Sequence, residues 1–377
     1  MSNNYSVKIL IIFLLFSLIK IDAQSLSYKP GSGIKLSSDE QEWSFRLLGY
    51  VQSTFTYHKE KENESVRNSF FVRRARLDFI FDYLDKYEIF FELDGRGTRT
   101  ELVLAQVDIE YLKNHKIEAG KFITPFSPEN LRSSRGLSTV ERYSAQNSLF
   151  LLPALDTQYG IMFFGFFEEL NYYLSITNGN GKASDNVKED NNPKDFQARL
   201  EYKTSNNFSF GGSVNYSEEK SQALKLVDHT FEAFNEVKIN GKRFGYLADF
   251  EYNKNDLMFR GEIFQYHFNE DLSAENQLKK FLGIYTELGY FLNGNISDGI
   301  QLIGRFETAK YNGEMFSVSG PTSLNSYIIG TNWYMNNIFR FQVNLIYEKA
   351  DSKSLLAGRF ESKNSDLLLL TMLQLKF

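Results

Sequence analysis

The chain of 377 residues has no cysteine, only 6 prolines and only 4 histidines. Beyond its first two dozen residues it has no apolar run approaching the ~18 that a membrane-crossing helix needs. Without cysteine there is no disulfide, no thiolate metal site, no cysteine nucleophile and no lipid-modified N-terminal cysteine. The histidines, His58, His115, His229 and His267, fall in expected loops, turns or strand ends without i, i+4 partners or metal-binding spacing. No Ser-His-acid set singles itself out, so neither an enzyme, a metal site nor a cofactor is expected. A net charge of −5 with both signs abundant gives no footprint for nucleic acid. If this chain sits in a membrane, it does so as a barrel.

What is present fits that exclusion. The first residues carry Lys8, an apolar run over 9–19 and then Ala23, the layout of a secretory leader, with cleavage expected after Ala23. Residues 24–41 read as an N-terminal periplasmic segment: a free tail, a short extra strand or a partial plug. The chain has 35 Phe and 22 Tyr, a content that suits strands with a lipid-facing side and aromatic girdles.

Period-2 alternation recurs from segment to segment. Over 339–348, Phe339, Phe341, Val343, Leu345 and Tyr347 oppose Arg340, Gln342, Asn344, Ile346 and Glu348. Residues 196–203 set Phe196, Ala198, Leu200 and Tyr202 against Gln197, Arg199, Glu201 and Lys203, and similar faces follow at 243–252 and 300–308. Charges at every second position are costly in a sandwich core, whereas a water-filled lumen accepts them.

Connections alternate in length. Short polar turns are expected near 84–86, 113–115, 168–170, 205–207, 253–256, 293–296 and 336–337. Longer polar stretches lie near 58–67, 96–103, 124–155, 179–194, 217–240, 269–278, 311–321 and 350–363. Seven turns and eight loops imply an all-β, antiparallel transmembrane barrel of about 16 strands over 42–377, with short periplasmic turns and long external loops. Barrels of this size hold an aqueous channel. The last segment alternates to the terminal aromatic Phe377, a signal of the kind read by the barrel-assembly machinery.

Several segments resemble the phosphate-selective porin O and P family: 33–57 (GIKLSSDEQEWSFRLLGYVQSTFTY), 71–82 (FVRRARLDFIFD), 120–128 (GKFITPFSP) and 133–143 (SSRGLSTVERY). The resemblance is sharpest over 33–166. It implies a sixteen-stranded porin in the outer membrane of a Gram-negative bacterium, a homotrimer with inward-folded loops. Its surroundings would be outer-membrane lipid and lipopolysaccharide, and its cargo small hydrophilic solutes or ions; the resemblance does not imply phosphate, and anions such as phosphate stay one candidate cargo among others. The lumen-facing residues here are mixed, acids outnumbering arginines, which sets anion preference apart as a separate question. The alternatives from other classes are a barrel acting as an adhesin or structural envelope protein without transport, and a soluble secreted all-β binder.

Function is expected at the 124–155 stretch, too long for an ordinary connection. Ser127-Pro128-Glu129 reads as an N-cap with proline at the first helical position, and Ser138 with Glu141 as a capping box. Its Arg132, Arg135 and Arg142, with Lys121 at the strand end, would face acidic strands across a pore, or would pin the loop to the wall through Glu129, Glu141 and lumen carboxylates. Arg74 and Arg76 are expected on the lumen face with Asp78 and Asp82, and Arg73 on the lipid side, snorkelling to head groups.

Overall fold

The computed structural model describes residues 25–59, 68–150, 156–179, 194–227, 229, 233–269, 277–315, 318–352 and 364–377. The expected leader lies outside the described residues, as does most of the polar stretch at 179–194. Two short strands, β1 (Ser25–Lys29) and β2 (Gly33–Ser37), precede sixteen barrel staves. The first half comprises β3 (Trp43–His58), β4 (Ser69–Tyr83), β5 (Tyr87–Asp94), β6 (Glu101–Leu112), β7 (His115–Ile123), β8 (Thr157–Phe167), β9 (Leu170–Thr177) and β10 (Asp195–Lys203). The second comprises β11 (Phe208–Val227), β12 (Ala233–Lys254), β13 (Leu257–Phe268), β14 (Gln277–Asn295), β15 (Asp298–Met315), β16 (Val318–Tyr334), β17 (Phe339–Ala350) and β18 (Ser365–Lys376). Each stave pairs antiparallel with the next, and β18 closes on β3 from Leu368↔His58 to Lys376↔Tyr50. Closure leaves the barrel wall without a free edge.

The tight turns fall where the sequence placed them, and their chemistry explains them. Asn114, Asn207 and Asn255 take left-handed backbone there, a conformation asparagine tolerates better than most residues. Side-chain polarity is inverted relative to a soluble protein: on β10, Arg199 is 2% exposed while neighbouring Leu200 is 54% exposed. Leu200, Ile263, Leu345 and Leu373 are among many apolar side chains pointing outward, as lipid solvent demands.

The N-terminal segment forms a β1–β2 hairpin, and β2 pairs with the lower end of β3 from Ile34↔Leu47 to Ser37↔Ser44. Those are the β3 residues that β18 does not reach, since its pairing ends at Tyr50. The hairpin therefore caps an edge that barrel shear would leave open.

One expected loop is mostly strand. The polar stretch at 217–240 continues as the upper arms of β11 and β12, because Leu224, Leu226, Val227, Val237 and Ile239 find buried places. These arms turn away from the wall above a bulge between Glu219 and Gln222, opposite Gly241 at a φ of 79°. There the hairpin leans inward, and Lys238 pairs in parallel with Gln277 of β14 although β13 separates the two staves lower down. With Phe264, Tyr266, Phe281 and Tyr311 of the wall, it forms one apolar cluster inside the barrel.

Candidate functional site

The connection from β7 to β8 crosses the lumen. It carries a short helix α1 (Pro128–Leu131), a 3-10 turn (Ser134–Gly136) and a second helix α2 (Ser144–Phe150). Ser127 caps α1, accepting from the Asn130 amide at 3.2 Å, and Pro128 supplies a preset φ where no amide is needed. The Ser138/Glu141 capping box does not form. Ser138 donates to Glu287 on β14 and accepts from Arg260 on β13, while Glu141 is taken by the arginines of β4, so the next helix begins at Ser144.

Loop contacts run around most of the wall. Ser127 donates to Glu262 on β13, and Asn332 of β16, Arg340 of β17 and Gln374 of β18 donate to loop carbonyls. Gln52 of β3 also donates to a loop carbonyl, and Arg132 pairs with Glu251 of β12 at 2.5 Å. Val140 sits in an apolar patch of Ile328, Ile346, Leu368, Leu370 and Met372.

The anchor that gathers the most charge is the buried Arg305 of β15. Its guanidinium meets Glu129 at 3.1 Å, Glu287 at 3.0 Å and Glu307 at 2.9 Å, and lies 4.2 Å from the Tyr285 ring centre. Burial alone would raise the Glu129 carboxyl, but Arg305, Arg260 and Arg132 pull it down to about 2. Glu141 is likewise held below its ordinary range, because Arg73 and Arg74 outweigh its burial.

Arg73 is a correction to the sequence reading. The β3–β4 register slips so that Gln52 faces Arg74 and Ser53 faces Val72, leaving Arg73 as the extra residue. This bulge turns it inward, where it binds Glu141, with its second nitrogen at 3.2 Å. Period-2 counting fails at a bulge.

The expected site residues divide into groups. Arg142 is buried and staples the loop to itself, donating to the carbonyls of Glu129 at 2.9 Å and Arg132 at 2.7 Å. Arg74 binds Gln52 and Glu141, and Arg76 binds Glu92 and, at 3.4 Å, Asp94. Arg135 faces Asp78 at 3.5 Å with its side chain 36% exposed. Lys121 donates to the Leu102 carbonyl at 2.8 Å and does not line the cavity described next.

Between the loop and staves β4 to β8 lies a cavity of about 520 Å³. Arg73, Arg74, Arg76, Arg96, Arg132, Arg135 and Arg142 line it, against Asp78, Glu92, Asp94, Glu101 and Asp156. Toward the turns, Asp82, Glu88, Asp108 and Glu118 stand directly opposite one another across four staves. Among the described residues no cluster of three or more histidines and carboxylates suits a metal ion.

A sixteen-stave barrel crossed by a charged loop is the architecture of a pore, and residues 45–377 match the family described as phosphate-selective porin O and P. The chain belongs to that family. It is an outer-membrane porin of a Gram-negative bacterium, a passive diffusion channel. A comparison with curated sequences finds no match. Among solved structures, OmpF of Salmonella typhi in complex with daunomycin is 10% identical at a TM-score of 0.65, covering 94% of this chain and 100% of that one. An anion-selective porin from Comamonas acidovorans is 12% identical with a TM-score of 0.64, covering 89% and 100%. In-vitro folded OmpT of Vibrio cholerae, in its trimer form, is 9% identical with a TM-score of 0.63, covering 89% and 99%. At these identities the likeness is one of fold.

The porin also uses wall residues that the sequence did not single out. Arg260 and Glu262 on β13 and Glu287 on β14 anchor the loop, and β13's alternation of charged with aromatic residues on one face, Arg260, Glu262, Phe264 and Tyr266, was the available signal.

Proposed function

We propose that the cavity beside β4 to β8 is the conducting path and that its arginines give the porin a weak preference for small anionic solutes. The observation that carries this is the lining itself, seven arginines against five carboxylates, with Arg96 37% and Arg135 36% exposed. Selectivity follows the narrowest charged ring, and exposed guanidinium groups recognise carboxylate and phosphate geometry. The row of carboxylates from Asp82 to Glu118 opposes this preference nearer the turns, which is why the preference is weak. Homotrimeric assembly belongs to the same proposal, supported by OmpT having been solved in a trimer form.

The test is the zero-current potential of single channels under a salt gradient. Arg135→Ala combined with Arg96→Ala should shift it toward cation preference. Their exposure keeps the stability cost near the ~0–1 kcal/mol of surface ion pairs. An unchanged potential in a conducting double variant would contradict the assignment.

A further inference from the structure

At the inner end of the β11–β12 hairpin, the described residue His229 is held by two carboxylates. His229 Nδ1 lies 2.6 Å from Glu348 on β17, and its Nε2 lies 2.7 Å from Glu307 on β15. All three side chains are at most 1% exposed. β17 is five staves from β12 in the barrel order, so this contact carries the hairpin along the inner wall past β13 to β16. The described arms back it up: Leu224, Leu226, Val237 and Ile239 are buried in the inner apolar cluster, and the Val227 amide donates to Ser148 on α2.

We propose that His229 is a positioning residue that holds this hairpin across the β15–β17 side of the lumen and thereby sets the pore's size limit. The solutes it excludes are hydrophilic molecules wider than the cavity beside β4 to β8. This rests on reading that cavity as the conducting path. The bulge at 219–222 and Gly241 make the bend on which the arms swing inward.

The chemistry of the pin requires a cation. A neutral imidazole has one N–H and one lone pair, so it would donate to one glutamate and repel the other. Only imidazolium donates to both. Burial would lower the His229 value, but Glu307 and Glu348 together raise it to about 10. Its two carboxylate partners have further neighbours: Glu307 takes Arg305 of β15 and the Ser144 amide of α2, Glu348 acts on Tyr311 of β15 and lies opposite Asp366 of β18 in the strand register, and α2 itself offers only hydroxyl and amide groups. A raised histidine stabilises fully below its ordinary value, ~6.5, and that contribution is lost as pH rises through about 10.

The experiment is liposome swelling with neutral sugars of increasing size, on the wild type and on His229→Ala, His229→Arg and Glu348→Gln, at pH 7 and pH 11. The wild type should exclude the larger sugars at pH 7 and admit them at pH 11. H229A should admit them at both values, E348Q should have a raised limit at pH 7, and H229R, which keeps its charge, should exclude them at both. If H229A and E348Q each keep the wild-type limit and its pH dependence, the proposal is overturned. Should H229A fail to assemble, E348Q and H229R decide it, since a merely structural histidine predicts no pH shift and no rescue by arginine. Zero-current potentials measured on the same variants report the arginine lining separately, so failure of the pin and failure of the conducting-path assignment are distinguishable.

Discussion

At the scale of residues, the loop is held by charges that water does not reach. Glu129 and Arg305 are both fully buried, and each is surrounded by further opposite charge. Removing one partner of such a pair costs about 3–5 kcal/mol, because the other is left buried and underpaired. Glu129→Ala should therefore loosen the loop and be read as increased open-channel current noise in an otherwise folded barrel. The same group gives a pH dependence with a definite sign. Its carboxyl is depressed to about 2, so its contribution is complete above the ordinary value of ~4.3 and is lost as pH falls through about 2. Current noise should stay flat from pH 7 to 5 and rise as pH approaches 2, whereas a rise already complete at pH 5 would contradict the anchoring role.

At the scale of elements, the small β1–β2 hairpin has a specific task. It covers Ser44–Leu47 of β3, the stretch left unpaired by the C-terminal stave. Deleting residues 25–37 should lower the temperature at which the barrel unfolds in heat-modifiability gels while leaving the rest of the wall paired; an unchanged temperature would mean that the edge needs no cover. The staves and turns were legible in the sequence because lipid outside and a polar interior impose alternation, and because Asn-bearing turns interrupt it at regular spacing. The loop was legible from its length and the Ser127-Pro128 start. Arg73 was not, since a bulge shifts the period by one residue. The inward arms of β11 and β12 were not, since Leu224, Leu226 and Ile239 are interspersed with charged and polar residues and their burial depends on a distant wall. His229 was unreadable for the same reason: Glu307 and Glu348 are 78 and 119 residues away.

At the scale of the whole molecule, the barrel is solvated by two media, and its tolerance to charge should differ by face. Ile263 points outward near the middle of β13, and arginine there should cost ~2–4 kcal/mol at mid-membrane depth. Charged residues already occupy the inner face of the same stave at Arg260 and Glu262. Urea titration of the folded barrel in lipid vesicles reads that difference, and an Ile263→Arg variant as stable as the wild type would place this face away from lipid. The central claim is that this chain is a diffusion pore with its open path beside β4 to β8. The most direct test is single-channel recording of the detergent-purified protein in a planar bilayer, with the zero-current potential taken under a salt gradient. Discrete, long-lived conductance steps with a modest anion preference are predicted. A correctly folded, heat-modifiable barrel that passes no current would contradict the account.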